Sequence, residues 1–171
     1  MILRLSQKLC TKIKAGKLNT LPLHENPFAD WSAHLFVADR KQYVILSNTK
    51  SLYSVVMPGR GIMNDRQFIE HVLSSIREFM KADGQESVYD RFIAPSSATV
   101  SFAKALDRSV TGSMNDLIRF ATTWLVKDQL PPYDIGFKIN DLLLSAIAPS
   151  KSAKYGKPRE AFKMLANRLG P

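Results

Sequence analysis

The amino-acid sequence predicts an α+β domain in which an antiparallel sheet packs with about four or five helices. The sheet is expected to hold a meander of about three strands plus one or two more. Short runs rich in Val, Ile, Leu, Tyr and Phe occupy residues 33–38, 42–47 and 52–57. Helical periodicity dominates after residue 64, and 45% of the 171 residues are hydrophobic, enough for one core. Early strands and late helices favour this class over a doubly wound parallel sheet.

The first half of the chain is expected to form the sheet. A short strand at residues 2–5 leads into a helix over residues 7–15, where Leu5, Leu9 and Ile13 recur at the spacing of one helical face. The polar breaks within the predicted meander are short enough for hairpins. Because consecutive strands are usually neighbours, an antiparallel meander is the simplest arrangement.

The second half is expected to be mostly helical. Asn64 is predicted to cap a helix that extends to Gly84, with Gln67 as the partner of a capping box. Residues 88–93 form either a short strand or a helical turn, and a further strand is expected near residues 100–106. Three more helices are predicted at residues 114–127, at residues 134–144 and from Pro158 onward, and the alternative to the end of the second is a strand at residues 142–147.

The pattern along the chain indicates one domain with a basic tail. Residues 1–148 are predicted to form a single α+β domain. Residues 149–171 are predicted to form a basic linker and a C-terminal amphipathic helix that packs on the same domain. Pro158 suits the first position of that helix, because proline lacks the N–H that a first turn leaves unpaired.

The composition argues against several classes of protein. Cys10 is the one cysteine, which excludes an intramolecular disulfide, and we expect it to be a small buried side chain. The three histidines match no metal-ligand spacing, so neither a metal nor a cofactor is predicted. No apolar run approaches the ~18 to 20 residues that a spanning helix needs, and the start does not resemble a secretory signal. The sequence therefore predicts a cytoplasmic protein without a membrane partner.

The net charge of +9 lies at the two ends of the chain. Residues 1–20 hold five basic side chains and no acidic one, residues 150–171 hold six basic and one acidic, and the middle is nearly neutral. Such ends suit nucleic acid or an acidic protein, particularly if both ends lie on one face. The simpler interpretation is a solvated charge that maintains solubility. The candidate nucleic-acid-binding residues are Lys8, Lys12, Lys151, Lys154, Lys157 and Arg159.

The stretch from Arg108 to Asp116 is the most informative local segment. Ser113 is predicted to cap a helix, with Asp116 as its capping-box partner and a turn at the preceding glycine. The amides of a helix start attract anions, so this stretch is a candidate anion site. A purely structural cap is the simpler interpretation, and the Walker A spacing is absent. The candidate anion-binding residues are Arg108, Ser109, Gly112, Ser113 and Asn115.

A second candidate is a pocket formed by Asp30, Trp31, His34 and Asp116. Asp30 and His34 have the chemistry of an acid–base pair, but positions four apart on a strand are separated by roughly 13 Å. The simpler interpretation makes Asp30 a turn residue, Trp31 a core anchor and His34 one side of a strand. No other enzyme signature is present, so no catalytic residue is predicted.

Four short motifs carry a resemblance to a known family. They are an N-terminal Gln-Lys-Leu, an Asp-Trp-Ser-Ala-His-Leu strand start, the strand from Ser47 to Val56, and Arg-Ser-Val-Thr-Gly-Ser-Met-Asn-Asp. On these the sequence resembles a family of uncharacterised bacterial and plasmid- or phage-associated proteins, classified as a domain of unknown function. The resemblance covers residues 1 to about 140. It implies one intracellular α+β domain and supplies no activity, cofactor or catalytic residue.

Two functions follow from these patterns. The first is a small non-enzymatic binding module that contacts a polyanion or a protein partner through its basic ends. The alternative is an enzyme or ligand-binding protein with an anion pocket at residues 108–116. This alternative predicts that residues 108–116 and the Asp30–His34 stretch meet in one concave site.

The charge layout gives a direct test of nucleic-acid binding. If the basic ends neutralise about six phosphates, the affinity for a short DNA duplex should fall roughly a thousandfold between about 50 and 200 mM salt, because binding releases condensed counterions. A gel-shift titration over this range measures the slope. Failure to shift DNA or RNA at low salt would contradict the nucleic-acid version of the binding hypothesis.

Overall fold

A computed structural model describes residues 1–106, 108–150 and 152–168. Within these residues the protein is a mixed α+β fold with five strands and six α-helices. The strands are β1 (Ile2–Leu5), β2 (Asp30–Ala38), β3 (Lys41–Asn48), β4 (Ser54–Pro58) and β5 (Ser101–Ala103). The helices are α1 (Gln7–Ile13), α2 (Asp65–Ala82), α3 (Glu86–Val88), α4 (Arg108–Val126), α5 (Pro132–Ile139) and α6 (Pro158–Arg168).

The five strands form one sheet in the order β4-β3-β2-β1-β5. The predicted meander is confirmed, because β2, β3 and β4 pair antiparallel. The prediction of a wholly antiparallel sheet is wrong, since β1 pairs parallel with both β2 and β5. Residues 6–29 return the chain to the end of the sheet where β1 begins, and a connection of this length permits a parallel pair.

The β2–β3 hairpin closes through a two-residue turn. Asp39 and Arg40 have φ values of 46° and 60°, in the left-handed region. Two consecutive positive φ values are the signature of a type I′ turn, whose twist matches that of paired strands. The flanking residues Ala38 and Lys41 are directly opposite each other.

The sheet separates two layers of helices. One face packs against α1, α2, α6 and the helical segment at residues 86–93, and its cluster includes Trp31 and Leu46. The other face packs against α4 and α5, and its cluster includes Phe36 and Ile45. The alternation of side chains along each strand divides the apolar residues between the two layers. Cys10 lies buried in the first layer, as predicted.

The start of α4 differs from its predicted position. The helix already begins at Arg108, so Ser113 lies inside it and donates from Oγ to the carbonyl of Ser109 at 3.0 Å. The prediction that Ser113 caps the helix and that Gly112 forms a turn is wrong. A glycine inside a helix costs only about 1 kcal/mol, and the apolar face of α4 offsets this by packing on the sheet.

A buried ion pair joins β1 to β2. Arg4 and Asp30 are 1% and 0% exposed, and two hydrogen bonds of 2.8 Å connect the guanidinium to both carboxylate oxygens. The guanidinium also donates to the carbonyls of Leu21 and Pro22, at 3.0 and 2.8 Å. The His24 amide donates to the same carboxylate at 3.0 Å. This pair therefore ties the long β1–β2 connection to the sheet.

At the outer edge of β4, a side-chain amide forms the two backbone hydrogen bonds that a neighbouring strand would otherwise form. The Asn140 amide follows α5 and forms two hydrogen bonds with the backbone of Ser54, accepting at 2.7 Å and donating at 2.9 Å. Both residues are fully buried. The backbone groups of Ser54 thus keep their hydrogen bonds at an edge where no further strand pairs with β4 among the described residues.

Helix α6 packs at the end of the sheet where β2 begins. The Phe162 ring stacks on Tyr53 with centroids 4.3 Å apart and meets Phe28 edge-on at 5.0 Å. Arg159 forms an ion pair with Asp83, whose other oxygen accepts from the Tyr53 hydroxyl. These contacts join α6 to the core of the first layer.

The buried ion pair makes a stability prediction. Replacing Arg4 with Met should lower the free energy of unfolding by about 3–5 kcal/mol, because Asp30 would remain buried without its counter-charge. Urea unfolding measures the difference. The matched control is Arg66→Met, since Arg66 pairs with Glu70 on the surface at 87% and 63% exposure and should change little. Equal effects of the two substitutions would contradict the central role of the buried pair.

Candidate functional site

A groove of about 900 Å³ lies beside the part of β2 that extends past β1. β1 pairs with β2 only over Asp30–Ala33, whereas β2 continues to Ala38. The groove floor is formed by residues 34–37 of β2. Its other lining residues are Ser6, Gln7, Lys8, Thr11, Gln42, Asn115 and Ile118.

The two walls of the groove come from opposite layers of the fold. α1 supplies one wall, and its buried residues Leu9 and Ile13 belong to the layer on the Trp31 face. α4 supplies the other wall, and its buried Met114 and Leu117 belong to the layer on the Phe36 face. The exposed edge of β2 therefore lies between two helices that are anchored independently.

His34 is the buried titratable group of the groove. Its exposed fraction is 8%, and burial lowers the pKa of its imidazole. Among the described residues, no group forms a hydrogen bond or an ion pair with this ring. The imidazole is therefore neutral at pH 7 and presents one N–H donor and one nitrogen acceptor.

The groove carries positive charge. Lys8 lines it, and Lys12 donates from Nζ to Oε1 of Gln42 at 2.7 Å, at the rim. None of the described lining residues is acidic. Most of the remaining polar groups are neutral hydroxyls and amides from Ser6, Gln7, Thr11 and Asn115. This set of donors suits an anionic partner.

The structure brings together residues that the sequence suggested for three different sites. Lys8 was a candidate for nucleic acid, His34 for an acid–base pocket and Asn115 for an anion site, and all three line this groove. Part of residues 108–116 thus meets part of the Asp30–His34 stretch in one concavity. Asn115 reaches the groove from the second turn of α4 rather than from a helix start.

Other predicted pocket residues lie elsewhere. Asp30 is held by Arg4, so it does not orient His34. The Trp31 side chain packs in the first layer, with α1, α2 and α6, and donates its indole N–H to the Phe28 carbonyl at 2.8 Å. Asp116 lies exposed on α4 with Arg119 at 3.7 Å. The acid–base pair of Asp30 and His34 is therefore wrong.

Two of the predicted anion-binding residues line a different cavity. Ser109 and Ser113 contribute to a space of about 200 Å³, together with Thr49 and Lys50. Arg108 is the first residue of α4. Gly112 adds no side chain, and outside its chain neighbours and the nearby backbone of its own helix no atom lies within 4 Å of where its Cβ would be.

The two basic ends of the chain lie at opposite ends of the sheet. Lys8 and Lys12 lie on α1, beside the end where β2 finishes and β3 begins. Lys157 directly precedes α6, which packs where β2 begins. Arg159 is held by Asp83 and Asp141, so its charge is already engaged. Lys154 is a surface residue above the Tyr155 ring, and Lys151 lies outside the described residues.

Sequence reasoning missed Gln7, Thr11 and Gln42 as groove residues. Isolated glutamines and threonines on amphipathic elements have no motif that marks them. The available signal was the unequal length of the predicted strands, four residues for β1 against six for β2. This difference in length predicts an exposed edge only if β1 and β2 are known to pair, and the sequence does not show that they do.

The fold and the groove define a small α+β domain with a polar groove at an interrupted sheet edge. The model of a protein family described as a domain of unknown function, DUF6933, matches residues 2–161, and the chain belongs to this family. The prediction that the chain belongs to a family classified as a domain of unknown function is therefore confirmed, and the match includes both walls of the groove. No curated protein matches the chain. In the described part of the chain, no helix has the length and apolar character needed to cross a membrane.

The burial of His34 makes a prediction about pH. Because the folded state lowers its pKa below the unfolded value of about 6.5, the unfolded state binds the proton more strongly, and stability should fall as the pH drops below about 6.5. His34→Gln should remove this part of the pH dependence. Urea midpoints of both proteins at pH values of about 7.5 and 5.5 measure it. Identical pH dependence in the two proteins would contradict the prediction.

Proposed function

We propose that the protein is a small, non-enzymatic, cytoplasmic binding module whose anionic partner occupies the groove between α1, α4 and the edge of β2. The observation that carries this proposal is the buried imidazole of His34, which has no partner among the described residues. No fully buried side-chain nitrogen or oxygen of the described residues lacks a hydrogen-bond partner, so the unbonded ring nitrogens of His34 keep contact with the solvent of the groove. These nitrogens are therefore available to a ligand in the groove.

The chemistry of the lining residues supports an anionic partner. Lys8 supplies a positive charge, and the rim carries Lys12. Gln7 and Asn115 supply neutral hydrogen-bond donors, one on each wall, whereas the Thr11 hydroxyl already donates to the Gln7 carbonyl. A carboxylate or a phosphate satisfies such a set, and these are the groups of an acidic protein and of nucleic acid.

The surroundings of His34 support binding rather than catalysis. A catalytic histidine usually has its imidazole oriented by a third group and placed within hydrogen-bond reach of a nucleophile. Within the described residues no carboxylate orients this ring, and the nearest sequence candidate, Asp30, is engaged by Arg4. The groove thus offers recognition without a set of groups for proton transfer.

A second candidate is a small-anion site in the cavity of about 200 Å³ at the first turns of α4. Lys50 lines this cavity together with Thr49, Ser109 and Ser113. Its volume suits a single phosphate or carboxylate group rather than a macromolecule. Inorganic phosphate is the probe that separates this site from the groove.

The proposal is tested by NMR titration of the full chain with three probes: an oligoglutamate peptide, a single-stranded oligothymidylate and inorganic phosphate. The anionic chains should shift the signals of His34 and Asn115. Lys8→Glu should weaken the binding of the oligoglutamate or the oligothymidylate, whichever binds more tightly, by at least about fivefold, because it reverses a charge inside the groove. Lys157→Glu is the matched control, since it makes the same change of net charge at the opposite end of the sheet.

The outcomes distinguish the alternatives. Shifts confined to residues 152–159, or equal effects of the two charge reversals, would contradict binding in the groove. Shifts at Ser109 and Ser113 with inorganic phosphate, without any at His34, would support the small-anion site instead.

A further inference from the structure

The backbone of β2 has no neighbouring strand along the groove among the described residues. Ser6 N–H donates to the Ala33 carbonyl at 3.0 Å, and the Leu35 N–H donates to Ser6 Oγ at 3.4 Å. Beyond this point no described strand pairs with that side of β2, because β1 has turned away into α1. The Val37 side chain is 59% exposed beside this edge.

The direction of the unpaired groups follows from the sheet. In an antiparallel pair, alternate residues direct both backbone groups to the same neighbour. The Asp30 carbonyl accepts from Thr49 on the β3 side, whereas Ala33 and Leu35 bond on the β1 side. Odd-numbered residues of β2 therefore face the groove, which places the Leu35 carbonyl and the Val37 N–H and carbonyl at its floor.

We propose that an extended acidic peptide of another protein binds in this groove and pairs with β2 as an added strand. The inference rests on the proposed function and names the class of its partner. An added strand replaces the continuation that β1 does not supply, and it lies between α1 and α4. Peptide recognition by strand addition draws affinity from main-chain hydrogen bonds and specificity from alternate side chains.

Charge complementarity defines the peptide as acidic. The groove is lined by Lys8 and no acidic side chain of the described residues, and Lys12 lies at its rim. Side chains of an added strand alternate between the two walls. Acidic residues at alternate positions reach Lys8 on one side, and the residues between them face His34 and Asn115 on the other side.

A single peptide fits this site better than a second copy of the chain. Two copies each carry a net charge of +9 and repel one another. The edge is also recessed between two helices, whereas sheet-to-sheet pairing needs an edge that another sheet can approach. Nucleic acid is disfavoured because the basic residues at the far end of the sheet, Lys154 and Lys157, do not continue the groove.

The test uses isothermal titration of the full chain with a pool of blocked peptides about six residues long, in which Glu alternates with Val, Thr, Leu or Tyr. Binding of the pool is expected. The same pool with Lys in place of Glu should bind at least about tenfold more weakly, because it removes the charge complementarity. A pool N-methylated at every amide should lose binding as well, since strand pairing needs the N–H groups that face β2.

Two variants test the protein side. Val37→Pro removes the N–H at the groove floor without removing a hydrogen bond to β3. It should therefore lower the affinity for the peptide pool at least about tenfold. Val37→Thr keeps the N–H and should bind normally. Circular dichroism of the proline variant is the control that tests whether it is folded. Hydrogen exchange of the Val37 amide in the native protein gives an independent measure, because the peptide should slow it.

Failure of this inference is separable from failure of the proposed function. Tight binding of the N-methylated pool, or unchanged Val37 exchange with shifts still at His34, would overturn strand addition and leave the groove as a binding site. Oligothymidylate that binds in the groove more tightly than every peptide would overturn the peptide in favour of nucleic acid. If none of the peptides and none of the anionic probes bound in the groove, both strand addition and the proposed function would be overturned.

Discussion

The buried ion pair between Arg4 and Asp30 determines how the rest of the fold is arranged. Two unlike charges without solvent are tolerated only when the remaining hydrogen-bonding positions are also filled. The loop carbonyls of Leu21 and Pro22 and the His24 amide fill them. The pair therefore holds β1 beside β2, and it binds the long connection between these strands to the sheet.

The parallel pairing that this ion pair holds also creates the groove. β1 ends at Leu5, because Ser6 caps α1 with its side chain and turns the chain off the sheet. β2 continues beyond that point, since its hairpin with β3 extends to the turn at Asp39 and Arg40. Each helix beside the exposed edge packs on a different face of the sheet. A binding surface thus results from the difference in length between two neighbouring strands.

Local signals in the sequence were sufficient for many elements. Asn64 accepts a hydrogen bond from the Gln67 amide as predicted, because a cap depends only on residues of the same turn. The meander likewise followed from short polar breaks between apolar runs. At α4 the same approach failed, since Gly112 and Ser113 resemble a helix start. The helix instead begins at Arg108, and Val110 in its first turn packs on the same cluster as Met114 and Leu117.

The sequence by itself determined the class of fold, the family and the basic character of the chain, because composition, periodicity and short motifs are local properties. Only the tertiary structure decided that β1 is parallel to β2, that Asp30 pairs with Arg4 rather than His34, and that Lys8, His34 and Asn115 line one groove. Each of these is a contact between residues distant along the chain. Their proximity depends on how the sheet and its two layers of helices pack together, which no short stretch of sequence encodes.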